Sequence, residues 1–268
     1  MISAVAPKDP QFLQQASGPD PYEAIHTARY RMYGADSGPP RFWRACSPQG
    51  IGLLSLAGDT LAVSGRVEDP EELAAFCAIC GAQKLRGERQ TLEQAVALLG
   101  WDVQRRTILS AAGPLCPAGR PDEVCQPPLE QVYLLLRETF GLPEDAFAPW
   151  YCEVSHKIRH GMGIVLGVQE KEQLAATAGI YYQNDAAALI ASVATRPAFR
   201  GRGYAGALVF ALAEQAKKRG VTPFVICHNP AAIRLYERVG FSGWGEEWLC
   251  SRPQTGKTKE AVSPAEER

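Results

Sequence analysis

Between residues 200 and 208 the chain reads RGRGYAGAL, with glycines at 201, 203 and 206 and arginines at 200 and 202. Glycine lets a backbone turn with its N–H groups exposed. The spacing of Ala205, Leu208, Val209, Leu212 and Ala216 predicts a long amphipathic helix that starts at about Gly203. The first amides of a helix have no internal acceptor and sit at the positive end of its dipole. Gly201, Arg202, Gly203, Tyr204, Ala205 and Gly206 therefore offer a cradle for an anion, above all a phosphate. Arg200 and Arg202 add full charges, worth roughly 1.5–3 kcal/mol per charge-assisted bond when water is excluded. A glycine-rich connector with exposed arginines is the plainer alternative.

The same stretch spells G-x-G-x-x-G, the fingerprint of dinucleotide binding. That fingerprint needs a strand running straight into the first glycine and an acidic residue about twenty positions on, for the ribose. Here residues 196–200 intervene, the preceding strands read as antiparallel hairpins, and the downstream region reads ICHN. Phosphate binding survives this comparison; the dinucleotide fold does not.

The wider stretch VATRPAFRGRGYAGAL resembles the coenzyme A motif of the GNAT N-acetyltransferase superfamily, Arg/Gln-x-x-Gly-x-Gly/Ala, on Arg200, Gly203 and Ala205. A second signature of that family, Asn-x-x-Ala-x-x-Leu-Tyr-x-x-x-Gly-Phe, is met by Asn229, Ala232, Leu235, Tyr236, Gly240 and Phe241. The resemblance covers roughly residues 118–250. It implies acetyl-CoA as co-substrate, a primary amine of a small molecule or peptide as acceptor, and direct transfer in a ternary complex. It further implies a bulged strand whose backbone at Val193, Ala194 and Thr195 binds the pantetheine arm and acetyl carbonyl. The amides from Gly201 to Gly206, with Arg200 and Arg202, would take the pyrophosphate. Thr195 stands where many relatives carry valine, which matters little if only its backbone binds. Asn229 would bond the arm or a bound water, and by itself reads as a helix N-cap before Pro230. Tyr236 would give a proton to the leaving thiolate; its plainer reading is a core aromatic beside Ile233 and Val239. A non-catalytic acyl-CoA sensor or scaffold of the same fold is the rival function, and transfer of a longer acyl chain is a third.

No general base is visible. Glu153, His156 and His160 stand in the segments that line the acceptor side in this family, and each also reads as an ordinary residue of a short helix. His156 and His160 have the i, i+4 spacing of a zinc helix, but Lys157 replaces the glutamate which the metalloprotease pattern requires. Cys77 and Cys80 form a lone CxxC inside an apolar helix, without the second pair of a zinc ribbon. No metal is expected. Trp150, Trp244 and Trp248 read as core residues or as walls of an acceptor pocket.

The elements that position these residues follow from periodicity and punctuation. Residues 113–128, GPLCPAGRPDEVCQPP, hold five prolines and two glycines, too many for a helix or interior strand. They divide the chain into residues 1–117 and residues 118–250, followed by a polar tail at 251–268 that reads as disordered. The second part reads helix, helix, three hairpin-linked strands, helix, strand, helix, strands. Residues 20–111 repeat this order faintly, with VEDPEEL where the other half has its glycines and arginines. Carboxylates there would repel a phosphate. The fold class is thus α+β, a GNAT-like, mostly antiparallel mixed sheet flanked by helices. The faint repeat implies a tandem pair whose N-terminal copy is degenerate and lacks a cofactor site, with an unrelated α/β domain as the alternative for the first half. With 28 basic against 29 acidic residues the net charge is −1, which argues against nucleic acid and anionic membrane as partners. There is no apolar run of about eighteen residues and no secretory signal pattern. The eight scattered cysteines fit a reducing cytoplasm.

Overall fold

A computed structural model describes residues 1–6, 9–34, 41–119, 124–170 and 172–253. Most of the C-terminal tail, from residue 254, lies outside the described residues, as do residues 120–123 of the proline-rich connector. The first half contains β1 (Ile2–Ala4), α1 (Pro10–Gln15), α2 (Pro21–Tyr33), β2 (Arg41–Ser47), β3 (Gly50–Ala57) and β4 (Thr60–Gly65). It continues with α3 (Pro70–Ile79), β5 (Lys84–Glu88), α4 (Arg89–Leu99) and β6 (Asp102–Ser110). The second half has β7 (Val124–Cys125), α5 (Leu129–Phe140), α6 (Phe147–Arg159), β8 (Ile164–Glu170), β9 (Gln173–Gln183) and β10 (Ala187–Thr195). It ends with α7 (Tyr204–Lys218), β11 (Thr222–Cys227), α8 (Pro230–Val239) and β12 (Ser242–Ser251). Each half therefore runs strand, two helices, three strands, helix, strand, helix, strand. The strands β1 and β7 were not legible in the sequence, because three and two residues are too few to show a period-2 pattern.

All these strands join one sheet in the order β1-β2-β3-β4-β5-β12-β6-β11-β10-β9-β8-β7. Pairing is antiparallel except between β4 and β5 and between β10 and β11. The final strands of the two halves are exchanged. The strand β12 lies beside β5 of the first half, and β6 lies beside β11 of the second, while the two pair with each other. Alternation along the strands sorts the helices. Ala188, Ile190 and Val225 pack under α7 and α8, whereas Ala187, Leu189 and Phe224 meet α2. Hence α3, α4, α7 and α8 cover one face, and α1, α2, α5 and α6 cover the other.

The helix α2 is not amphipathic in the ordinary sense. Ala24 through Tyr30 are buried without a break, where a surface helix would bury a single stripe. It touches β3 and β4 on one side and β9 and β10 on the other, so the twisted sheet curls around it. Its polar groups need partners inside the protein. His26 Nδ1 lies 2.8 Å from Ser55 Oγ, and Arg29 donates to the carbonyl and hydroxyl of Ser55 at 3.0 and 2.9 Å. The His26 imidazole is held down to about 3, first by burial and then by the charges of Arg29 and Arg86.

One carboxylate ties this region together. Glu247 of β12 is fully buried, and its Oε1 accepts from Tyr22 Oη at 3.2 Å and from Arg86 Nε and Nη2 at 3.0 and 2.7 Å. Arg106 of β6 approaches Oε2 at 3.5 Å. Strand exchange is what brings a glutamate of the second half to three donors of the first. Replacing it strands two guanidinium groups in a site with little water. Glu247→Ala should destabilise the protein by about 3–5 kcal/mol, as removal of one partner of a buried ion pair does; urea unfolding of the variant against the parent measures this.

Candidate functional site

The parallel pair β10–β11 is in register from Ala187 opposite Thr222 to Ile190 opposite Val225, and pairing then stops although both strands continue. The cause lies on the other edge of β10. Against β9 the register shifts first between Leu189 and Ile190, with Tyr181 the extra residue, and again between Ala191 and Ala194. Ser192 takes φ 54°, a left-handed conformation that strains a residue with a side chain. A bulge of this kind bends its strand and re-aims the groups that follow. Here the strand diverges from β11 over residues 191–195, and a cleft opens.

The cleft has a volume of about 600 Å³. Val193, Ala194, Thr195, Asn229 and residues 200–205 line it, together with Ala232, Leu235 and Arg238 of α8 and Thr139 and Phe140 of α5. Of the expected cofactor residues, Val193, Ala194, Thr195, Arg200, Gly201, Arg202, Gly203, Tyr204, Ala205 and Asn229 thus share one wall system. Gly206 is not among the lining residues. It is buried within α7, where a Cβ would stand 3.2 Å from that of Ala118.

At one end of the cleft the backbone is prepared for an anion. Gly201 and Gly203 have φ of 79° and 85°, and Gly203 is the N-cap of α7 without a capping side chain. Among the described residues, the amides of Gly201, Arg202, Gly203, Ala205 and Gly206 donate no hydrogen bond; the first inward bond runs from Ala207 N to Gly203 O at 3.1 Å. The two arginines differ. Arg202 is paired with Glu170 at 2.5 Å and lies over the Phe199 ring, and Tyr204 Oη also donates to Glu170 at 2.5 Å. Arg200 makes no ion pair among the described residues and only reaches Thr195 O at 3.3 Å. Glu170 was not legible as a site residue, because it closes a strand thirty-two residues before Arg202 and only the fold brings them together.

Asn229 also lines the cleft, and Cys227 and Tyr236 lie near each other beside the start of α8 and on it. Asn229 caps α8, its Oδ1 accepting from Ala231 N at 2.8 Å and Ala232 N at 3.4 Å. Tyr236 is buried on α8 with Val239 and Phe241 and does not line the cleft itself, whereas its neighbour Leu235 does. Burial raises its phenol pKa, and the nearby Cys227 adds to the effect, so the hydroxyl keeps its proton through the neutral range. Burial likewise pushes the Cys227 thiol up to about 11, against a smaller opposing influence of Arg106.

The three base candidates are elsewhere. Glu153 is paired with the buried Lys157, whose Nζ sits 4.2 Å from the centre of the Tyr182 ring. His156 and His160 stack with ring centres 4.1 Å apart. Glu153 and His156 face a separate cavity beside Met32 and Tyr33, and His160 faces another beside Arg219. Among the described residues no group of three His, Cys, Asp or Glu is arranged to hold a metal, and no helix is long and apolar enough to cross a membrane.

The corresponding place in the first half is chemically opposite. The strand β4 pairs with β3 in unbroken register, so no bulge re-aims it. Asp69 caps α3 through a bond from Glu72 N at 2.8 Å, which occupies an amide that a phosphate would need. The cavity there, about 730 Å³, is lined by Asp20, Glu68 and Glu88 with a single arginine, Arg66, which pairs with Glu68 at 3.7 Å.

Residues 129–241 match the profile of the Acetyltransferase (GNAT) family. The chain carries a GNAT acetyltransferase domain and is an acyltransferase of the N-acetyltransferase type. Solved structures repeat the fold over nearly the whole length. A GCN5-related N-acetyltransferase from Sphaerobacter thermophilus superposes with a TM-score of 0.62 at 19% identity, covering 94% of this chain and 96% of its own. A GNAT-family acetyltransferase from Colwellia psychrerythraea gives 0.58 at 14% identity, covering 94% and 100%. A tandem GNAT protein from the clavulanic acid biosynthesis pathway gives 0.58 at 14% identity, covering 94% and 98%. No curated protein matches the chain significantly.

The half-buried Cys227 thiol makes the neighbourhood of Tyr236 testable without a substrate. Because the thiolate is the nucleophile, a raised pKa leaves Cys227 inert until the pH nears about 11. At pH 8, iodoacetamide followed by peptide mass mapping should label the exposed Cys116 and Cys152 and leave Cys227 unmodified.

Proposed function

We propose that this chain moves the acetyl group of acetyl-CoA onto a primary amine of a small molecule or peptide, by direct transfer in a ternary complex. The observation that carries this reading is the cleft between β10 and β11, with bare amides at one end and a bulge-turned strand along its side. The residues present fit the cofactor. The amides of Gly201, Arg202, Gly203, Ala205 and Gly206, and Arg200, which makes no ion pair among the described residues, would hold the pyrophosphate. The backbone of Val193, Ala194 and Thr195, released from β11, would meet the pantetheine arm and the acyl carbonyl. When bound, acetyl-CoA supplies an activated acyl group and a thiol as leaving group.

Each remaining task belongs to the chain itself. Tyr236 keeps a proton at Oη in an apolar setting, where it can pass to a leaving sulfur. Asn229 fixes the start of α8, and so the placement of Leu235 and Tyr236, and would offer its side-chain amide N–H to the arm. Arg202 and Tyr204, both tied to Glu170, set the rim of the phosphate end. Residues 1–117 form the degenerate copy without a cofactor site, and the carboxylates at Glu68, Asp69, Glu71 and Glu72 support this. The acceptor amine reaches the site as an ammonium and loses a proton before attack, with water as the base, since Glu153, His156 and His160 face other cavities.

The experiment is calorimetric titration with coenzyme A, then thiol release across a panel of amines. Arg200→Glu should weaken coenzyme A binding by about ten-fold or more, the size of one charge-assisted bond to phosphate. Binding without any thiol release would mark a sensor instead of an enzyme. Tyr236→Phe should keep that affinity and lower kcat by about 100-fold, the ordinary effect of removing a general acid; an undiminished kcat would assign the proton to another group.

A further inference from the structure

Three arginines line the cleft between β10 and β11, and they are not equivalent. Arg202 is held by Glu170 at 2.5 Å, so its charge is already answered within the protein. Arg200 belongs to the glycine loop and directly precedes the unbonded amides of Gly201, Arg202 and Gly203. Arg238 comes from another element, the helix α8, and neither sequence motif specifies its side chain.

Its place in the wall follows from helix geometry. Ala231, Leu235 and Arg238 are spaced i, i+4 and i+7, one stripe of α8, and all three line the cleft. Tyr236 and Val239 turn instead into the core beneath. Ala232, the remaining helical residue of this wall, is apolar like Ala231 and Leu235. Arg238 therefore ends an apolar wall with a guanidinium, a flat fork of donors that matches phosphate oxygens. Its side chain is exposed and makes no ion pair among the described residues, either with Glu237 beside it or with another acid. Among the described residues no carboxylate lines the cleft, whereas Asp20, Glu68 and Glu88 line the corresponding cavity of the first half.

We infer that Arg238 binds the 3′-phosphate at the adenosine end of coenzyme A. This rests on the reading of the cleft as the cofactor site, and it assigns a residue to the phosphate that the loop after β10 leaves over. The linked phosphates take the amides at the start of α7 and Arg200. A ligand with no other anion would leave Arg238 unmatched on the facing helix. Coenzyme A has one more phosphate, a monoester on the ribose 3′ oxygen, which carries about −1.5 to −2 charges at pH 7. With Arg202 withdrawn by Glu170, two cationic places remain on separate elements that face one cavity of about 600 Å³. The ligand has two separate anionic groups to fill them. Arg238 thus distinguishes coenzyme A from its dephospho form, while Arg200 does not.

Calorimetric titration of coenzyme A and of 3′-dephospho-coenzyme A into the whole chain tests this. The parent should bind coenzyme A roughly three- to ten-fold more tightly, the scale of one exposed charge-assisted contact. Arg238→Gln should weaken coenzyme A alone and bring the two ligands within about two-fold of each other. Arg238→Lys, which keeps the charge and loses the fork, should retain the preference in reduced form. Arg200→Glu should weaken both ligands together. Equal affinity of the parent for the two ligands overturns the assignment. An Arg238→Gln variant that weakens both ligands alike, or that keeps the full preference, overturns it as well. A parent that binds neither ligand removes the cofactor site itself and the assignment with it, whereas a parent that binds both, with an indifferent Arg238→Gln, removes Arg238 alone.

Discussion

The pairing of β6 with β12 sets the terms for everything else in this fold. Each strand closes the sheet of the opposite half, so the two halves share one continuous ladder and curl around α2 from both sides. Burying a helix on all sides imposes polar bookkeeping that a surface helix escapes. Ser55 answers His26 and Arg29, and Glu247 answers Tyr22, Arg86 and Arg106. Desolvated charges add little net stability, but their geometry is demanding. Here that geometry fixes β6 next to β11, and β11 is one lip of the cleft.

The two halves show how differently one architecture can be finished at corresponding places. Both contain a parallel pair that meets the start of a helix. In the second half a bulge at Ser192 turns the strand away, and glycine at the N-cap supplies no capping side chain. In the first half the strand is regular, and Asp69 fills the cap with a carboxylate. The same backbone dipole meets no capping side chain in one case and an internal carboxylate in the other. A few side chains decide the matter, while the architecture stays constant.

How much of this the sequence displayed depended on the range of the interactions. The glycines and arginines of residues 200–206 and the signature from Asn229 to Phe241 are local, and the structure gathers most of them around one cleft. Helices such as α5 and α7 were legible from period and caps. The exchange of β6 and β12 was not, since nothing in a strand's own residues names its neighbour. Glu170 was missed for the same reason, being an ordinary residue at the end of an ordinary strand. The positive φ of Ser192 was also hidden, because serine gives none of the warning that glycine would. Tyr236 kept both of its readings: it belongs to the core cluster, and it is the phenol beside Cys227.

The connector between the halves has an architectural role that its composition conceals. A Cβ on Gly119 would stand 2.4 Å from the carbonyl oxygen of Gly203, and Cys116 N donates to Val239 O at 2.9 Å. Residues that look like a disposable tether thus press on the first turn of α7 and the last turn of α8. Lengthening or swapping that tether in a chimera would reach the start of α7 and the end of α8 through direct contact, so the join between the halves belongs to the packing of these two helices.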